Sequence, residues 1–304
     1  MNARVLNPET SLNRRPADRI AKVAWLEPIA NAVQPAVQRA LAAAGLPVRN
    51  VLHGTGLGHP FHPLLTDVPV GAWTVTAVLD ALEAAGSARF ADGADAALVV
   101  GLLGAAGAVV TGYADWSDTA DDAKRLGMAH AMLNGAATVA YGASLAARRT
   151  GNRGAGIALA FAGYGAVALA AYLGGELSMG LQLGVRHTAE PIFPPGDFTP
   201  VLDESALESG KIVRADLDGI PLILLRTHDG IFAMGAACTH RGAPLDEGTL
   251  EGACVRCPWH GSLFAFADGS PLEGPASFPQ PQFEARVEAG RIEVRPLQPI
   301  VASM

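Results

Sequence analysis

The sequence predicts two unlike parts in one chain of 304 residues: an all-α bundle of four membrane-spanning helices, then a small all-β domain. Three observations carry this. Half of the residues are apolar and only 17% are charged, against roughly 25% in an ordinary soluble protein. The deficit of charge falls in the middle of the chain, as long uninterrupted runs. Beyond about residue 197 the runs shorten and Asp-Gly and Ala-Gly turn signals separate them. Disorder, a coiled coil and a disulfide scaffold are excluded, the last because three cysteines cannot staple a chain this long.

The first part, residues 1–58, is basic, with seven Lys/Arg against three Asp/Glu. A polar arm, Met1 to Lys22, leads into Val23 to Ala44, which reads as an interfacial amphipathic helix interrupted near Pro35. No apolar core with a small-residue cleavage site stands near the start. Arg14-Arg15 is not followed by the apolar stretch that a twin-arginine signal needs. The expectation is a cytoplasmic arm. No basic patch persists beyond it, so nucleic acid is not an expected partner.

Residues 59–180 form the expected membrane domain. Ala96 to Ala114 has 19 residues without a charge, and Gly154 to Gly175 has 22. In Leu126 to Ala147 the only group titrating near neutrality is His130. A helix needs about 20 apolar residues to cross the hydrocarbon core, so each qualifies. Leu64 to Ala85 is of similar length but contains Asp67, Asp80 and Glu83, which makes it the weakest span. A soluble bundle would show a polar stripe at helical spacing, and the second and fourth segments show none. Gly101, Gly104, Gly107, Gly163 and Gly165 suit close helix packing in lipid. Trp73 and Trp116, near span ends, fit an interfacial belt. Four spans return the chain to its starting side, so the C-terminal domain is expected in the cytoplasm of a bacterial cell. Lys124 and Arg125 agree with that orientation, while Arg148, Arg149 and Arg153 oppose it.

Residues 197–304 form the β domain. Lys211–Ala215, Pro221–Arg226 and Ile231–Ala236 read as strands split by Asp218-Gly219 and Asp229-Gly230. Phe283–Val287 and Arg291–Arg295 pair around Ala289-Gly290. Within them stand Cys238-Thr-His240 and, sixteen residues on, Cys257-Pro-Trp-His260. Zinc would accept two Cys and two His, although zinc fingers usually place both histidines after both cysteines. A C-x-H followed by a C-x2-H also lets one iron of a [2Fe–2S] cluster take both thiolates and the other both imidazoles. Neutral imidazoles in place of thiolates remove negative charge and ease reduction.

This stretch resembles the Rieske [2Fe–2S] domain: Cys238-Thr-His-Arg-Gly-Ala-Pro-Leu, Asp246-Glu-Gly, Cys257-Pro-Trp-His-Gly and Gly274-Pro-Ala. The resemblance implies Cys238 and Cys257 on a buried iron, with His240 and His260 on an exposed one. Relative to the cytochrome bc type, the positions of the disulfide between the cluster loops hold Ala243 and Trp259, so that bridge is absent. Of the two hydroxyls that hydrogen-bond cluster sulfur in that type, Ser262 keeps one, while Phe264 stands where a tyrosine would supply the other. The resemblance therefore implies a ferredoxin-like potential below the quinol-oxidising range. Cys254 is left over and reads as a buried, inert thiol. The missing disulfide agrees with a reducing compartment.

Polar residues gather at one expected end of the bundle: His59, His62, Asp67, Asp115, His130 and Glu176, with Asn134 a turn deeper. Such groups in spans default to function, and capping contacts are the competing reading. Gly58-His-Pro-Phe-His-Pro63, Thr111-Gly-x-x-Asp-Trp116, His130 and Gly174-Gly175 resemble a bacterial four-helix membrane family with a G-H-P-x-H-P signature. That resemblance implies no reaction. The expected function is membrane electron transfer, with lipid around the bundle and donor and acceptor proteins or a quinone as redox partners. The cluster would exchange electrons with a site at the bundle end: haem b between His62 or His59 and His130, another metal, or a quinone. The alternative is a redox sensor or tethered ferredoxin on a structural anchor. A Rieske oxygenase is not expected, because it needs a further domain with a 2-His-1-carboxylate iron.

Overall fold

The computed structural model describes residues 16–188 and 197–297. The first fifteen residues of the basic arm, the Pro194-Pro195-Gly196 boundary and the last residues of the β domain lie outside them. The chain divides into two compact units: residues up to Ala40 with Pro63–Leu183, and Leu41–His62 with Gly184 onward.

In the helical unit, α1 (Pro16–Ile20) and α2 (Leu26–Ala44) precede four long helices, numbered here α4 to α7 because the short α3 (Leu46–His53) lies between. These are α4 (Phe61–Ala84), α5 (Ala91–Trp116), α6 (Asp121–Arg149) and α7 (Arg153–Gly175), the last followed by a π-turn at Glu176–Gly180. Three helices are long and apolar enough to cross a membrane: Phe61–Ala84, Ala88–Trp116 and Arg153–Gly180. The expectation of four is therefore matched only in part. The segment expected to be weakest qualifies, and α6 does not. Its 29 residues are long enough, but His130, Asn134, Thr138 and Ser144 dilute its apolar surface.

Asp80 is tolerated because it is paired. Arg148, almost wholly buried, donates to both Asp80 carboxylate oxygens at 2.9 and 2.5 Å and to Asp95 at 2.8 Å. Arg153 binds Asp95 at 3.1 Å and pairs with Glu83. These ion pairs tie α4, α5, α6 and α7 together at one end.

The tryptophans do not form a belt. Trp73 is 2% exposed and stacks on Tyr141 at 4.2 Å between ring centres. A side chain at Gly101 would collide with Trp73, and one at Gly163 would crowd Tyr141, so these glycines make room for the stacked pair. Trp116 is buried over Gly127, with its Nε1 donating to the Lys124 carbonyl at 2.9 Å. Nor does Pro35 interrupt α2. The helix runs through it, burying Leu26, Ala30 and Gln34 along one row. Gln34 and Gln38 donate to the Thr119 and Ser117 carbonyls at 2.9 and 2.8 Å. That row packs on the α5–α6 turn, where an interfacial helix would give it to lipid.

The β unit has two antiparallel sheets. β1 (Thr199–Asp203), β2 (Ile212–Leu217), β3 (Ile220–Thr227), β4 (Gly230–Gly235), β9 (Gln282–Glu288) and β10 (Arg291–Pro296) pair in the order β1-β10-β9-β4-β3-β2. β5 (Thr249–Glu251), β6 (Cys254–Arg256), β7 (Leu263–Ala265) and β8 (Pro271–Glu273) form the second sheet in sequence order. The expected hairpins close where the turn residues stand: Asp218-Gly219 and Ala289-Gly290 both take positive φ, as two-residue hairpins require. β3 is buried on both faces, Ile223 and Leu225 in one core and Leu222 and Leu224 in another.

Candidate metal centre

Two loops carry the Cys and His residues, and they are the same turn built twice. In the first, after β4, the Cys238 amide donates to the Ala243 carbonyl at 2.8 Å, and the Gly242 amide donates back to Cys238 at 2.7 Å. In the second, between β6 and β7, Cys257 donates to Ser262 at 2.8 Å and Gly261 to Cys257 at 3.1 Å. The glycine four residues after each cysteine has a positive φ, 74° and 76°, which a side chain would strain. Folding each loop back in this way turns its cysteine inward and brings its histidine alongside the other.

Cys238 and Cys257 are 1% and 3% exposed and belong to the core formed with Val255, Phe264 and Phe266. The Cys238 thiol donates to the Cys257 sulfur, which pulls Cys257 down to about 6 and pushes Cys238 up. Backbone amides of His260, Trp259 and Gly261 also point at Cys257, and those of His240 and Arg241 at Cys238. Each loop thus presents N–H donors to negative sulfur. The rings of His240 and His260 lie 5.0 Å apart, nearly perpendicular. Burial, with the neighbouring His260 and Arg241, holds His240 well below the usual imidazole range and keeps it neutral. Its Nδ1 is buried without a hydrogen-bond partner.

Paired thiols, paired imidazoles and the orphaned His240 Nδ1 suit two metal ions, one per pair. Among the described residues no three His, Cys, Asp or Glu side chains gather closely enough to form a single-ion site.

A third loop, after β8, closes over both. The Ala276 amide donates to Ser262 Oγ at 2.9 Å, and Thr239 Oγ1 donates to the Phe278 carbonyl at 2.8 Å. Ser262 and Phe264 are fully buried here. Cys254 is not; it opens β6 half-buried, and all three cysteines are free.

The polar residues expected at the bundle end divide between the two units. His59 and His62 belong to the β unit, while Asp67, Asp115, His130 and Glu176 belong to the helical one. His59 is exposed, with Nδ1 donating to the Pro60 carbonyl at 3.0 Å. His130 engages both ring nitrogens: Nδ1 donates to the Ala170 carbonyl at 2.8 Å, and Nε2 accepts from Asn134 at 3.1 Å. It braces α6 against α7. What sequence reasoning missed lies on α3. Asn50 Nδ2 donates to the Leu272 carbonyl and Oδ1 accepts from the Gly274 amide, both at 3.0 Å. No spacing signals a contact between residues 224 apart.

Two family models match. Residues 197–284 match the Rieske [2Fe–2S] domain, and residues 58–188 match a family described as predicted membrane protein (DUF2231). Ferredoxin CarAc of Metapseudomonas resinovorans is 37% identical over 91 residues, 30% of this chain and 85% of that protein. The anthranilate 1,2-dioxygenase ferredoxin subunit of Burkholderia cepacia is 36% identical over 24% of this chain and 68% of its own length. Human apoptosis-inducing factor 3 is 31% identical over 36% of this chain, which spans only 19% of that protein. Through its C-terminal domain, the chain belongs to the Rieske [2Fe–2S] family of ferredoxin-like proteins.

Proposed function

We propose that this is a membrane-anchored, ferredoxin-like electron carrier with one [2Fe–2S] cluster, Cys238 and Cys257 holding one iron and His240 and His260 the other. When bound, the cluster supplies a one-electron couple between a reductase-type donor and an acceptor protein. The chain's residues do the rest. The two loops aim amides at sulfur, the core excludes water from the thiolate side, and the third loop fixes Ser262. The carrying observation is the repeated loop geometry that sorts thiols and imidazoles into separate pairs. The names of the ferredoxin relatives support an oxygenase component as acceptor.

The bundle serves as anchor. Leu103 and Val139 are each 72% exposed, on α5 and α6, which suits lipid. Chain connectivity favours four crossings over three. Leu41–His62 and the chain from Gly184 onward form one unit, so α4 begins and α7 ends on the same side of the membrane. That requires an even number of crossings, and α6 supplies the fourth. The side proposed is the cytoplasmic one, given the basic arm and the missing disulfide between the cluster loops. The opposing charges Arg148 and Arg153 are consumed in ion pairs and lose weight as markers. Of the two functional readings, the tethered carrier is favoured over exchange with a bundle cofactor, because His130 is committed to Ala170 and Asn134.

Detergent-purified protein is expected to hold two irons per chain, to give a Rieske-type EPR signal on reduction, and to show no b-type haem absorption. Cys238→Ser and His240→Ala should each abolish the signal. Stoichiometric zinc without that signal sinks the proposal.

A further inference from the structure

The third loop is held from outside the family domain. α3 lies in neither matched segment, which begin at residues 58 and 197, yet it packs within the β unit. The Asn50 amide grips that loop at two points, the Leu272 carbonyl and the Gly274 amide, as a neighbouring strand would. The fit at Gly274 is tight: a Cβ there would sit 2.5 Å from Thr55 Oγ1 and 3.5 Å from His53 Cβ. Thr55 and His53 are themselves buried.

Two residues beyond Gly274, the Ala276 amide donates to Ser262 Oγ. An oxygen that accepts this bond points its own O–H elsewhere, and Ser262 closes the Cys257–His260 turn, its carbonyl accepting from the Cys257 amide at 2.8 Å. We propose that Asn50 is a positioning residue for the cluster: by clamping the Leu272–Gly274 segment it fixes the Ala276–Ser262 hydrogen bond, and so aims the Ser262 hydroxyl at cluster sulfur. This rests on the cluster assignment above. A hydrogen bond to sulfur stabilises the reduced, more negative cluster, so loosening the clamp lowers the potential.

The test is a redox titration, followed by EPR, of the full chain in detergent. Ser262→Ala, Asn50→Leu and the double variant are compared with wild type at equal cluster content. Asn50→Leu is expected to shift the midpoint in the negative direction, by less than Ser262→Ala. The double variant is expected to match Ser262→Ala alone, because Asn50 acts through Ser262. Additive shifts, or an Asn50→Leu midpoint equal to wild type while Ser262→Ala moves, overturn the proposal. Gly274→Ala, which pushes a methyl against Thr55 without touching Ser262, gives a second reading and should shift the same way. If both Asn50→Leu and Gly274→Ala fail to load a cluster that Ser262→Ala retains, the clamp holds the cluster and does not tune it, which also overturns the proposal. Absence of a Rieske signal from wild type would fail the underlying assignment instead.

Discussion

At the level of single residues, the chemistry turns on which atoms reach sulfur. Phe264 is fully buried on β7 and brings no hydroxyl to the proposed cluster. Phe264→Tyr should raise the midpoint potential if its hydroxyl donates there. One hydrogen bond is worth about 1 kcal/mol, on the order of 40 mV for a single electron. A redox titration checks the sign, and an unchanged or lower midpoint would show that the hydroxyl does not reach sulfur. The Cys and His residues were legible because short, asymmetric spacings encode a loop that reaches one point. Asn50 was not. An asparagine in a polar stretch before an apolar span has no local signature, and its partners are backbone groups supplied by a distant loop. His130 falls between these cases. Its i, i+4 neighbour Asn134 could be read from spacing, whereas the Ala170 carbonyl could not.

Among the elements, the helical unit depends on a buried ion cluster. Arg148→Met leaves Asp80 buried without its main partner, which should destabilise the bundle by about 3–5 kcal/mol. Changing Asp80→Leu as well should recover most of this, while Asp95 keeps Arg153. Unfolding in detergent, for the single and double variants, measures both; a single variant as stable as wild type would deny the cluster its structural role. Elements with strong local signals were readable. Asp218-Gly219 and Ala289-Gly290 mark hairpins because those residues accept positive φ, and the long helices follow from their apolar runs. The second sheet was hidden, since strands of three residues such as Cys254–Arg256 are too short to show alternation. Helix α2 survives Pro35 because one missing amide matters less than the Leu26–Ala30–Gln34 row and its two glutamine clamps. Aromatic position misled in the same way: Trp73 stands where a belt residue would, but the glycines opposite make room for it inside.

For the whole molecule, the number of crossings is the property most open to test. With four, a fluorescent reporter fused after residue 297 should light up in the cytoplasm. A cysteine placed at Ser87, between α4 and α5, should label from outside the cell, and one at Thr119 should not. A reporter dark at the C-terminus, with Ser87 labelled, would leave three crossings. The low overall charge that first separated the chain into parts now has a finer meaning, because several charges inside the spans are spent on one another. Composition showed where membrane and β domain lie, but it did not show that a short helix before the first span belongs to the second part. That arrangement has a consequence for biogenesis. The polypeptide makes α3 early and its partner loop late, with the whole membrane segment synthesised between them. Asn50 must therefore wait until Leu272 and Gly274 emerge. The finished cluster pocket is a product of completed synthesis, so a chain stalled before Gly274 would not yet have it ready for iron.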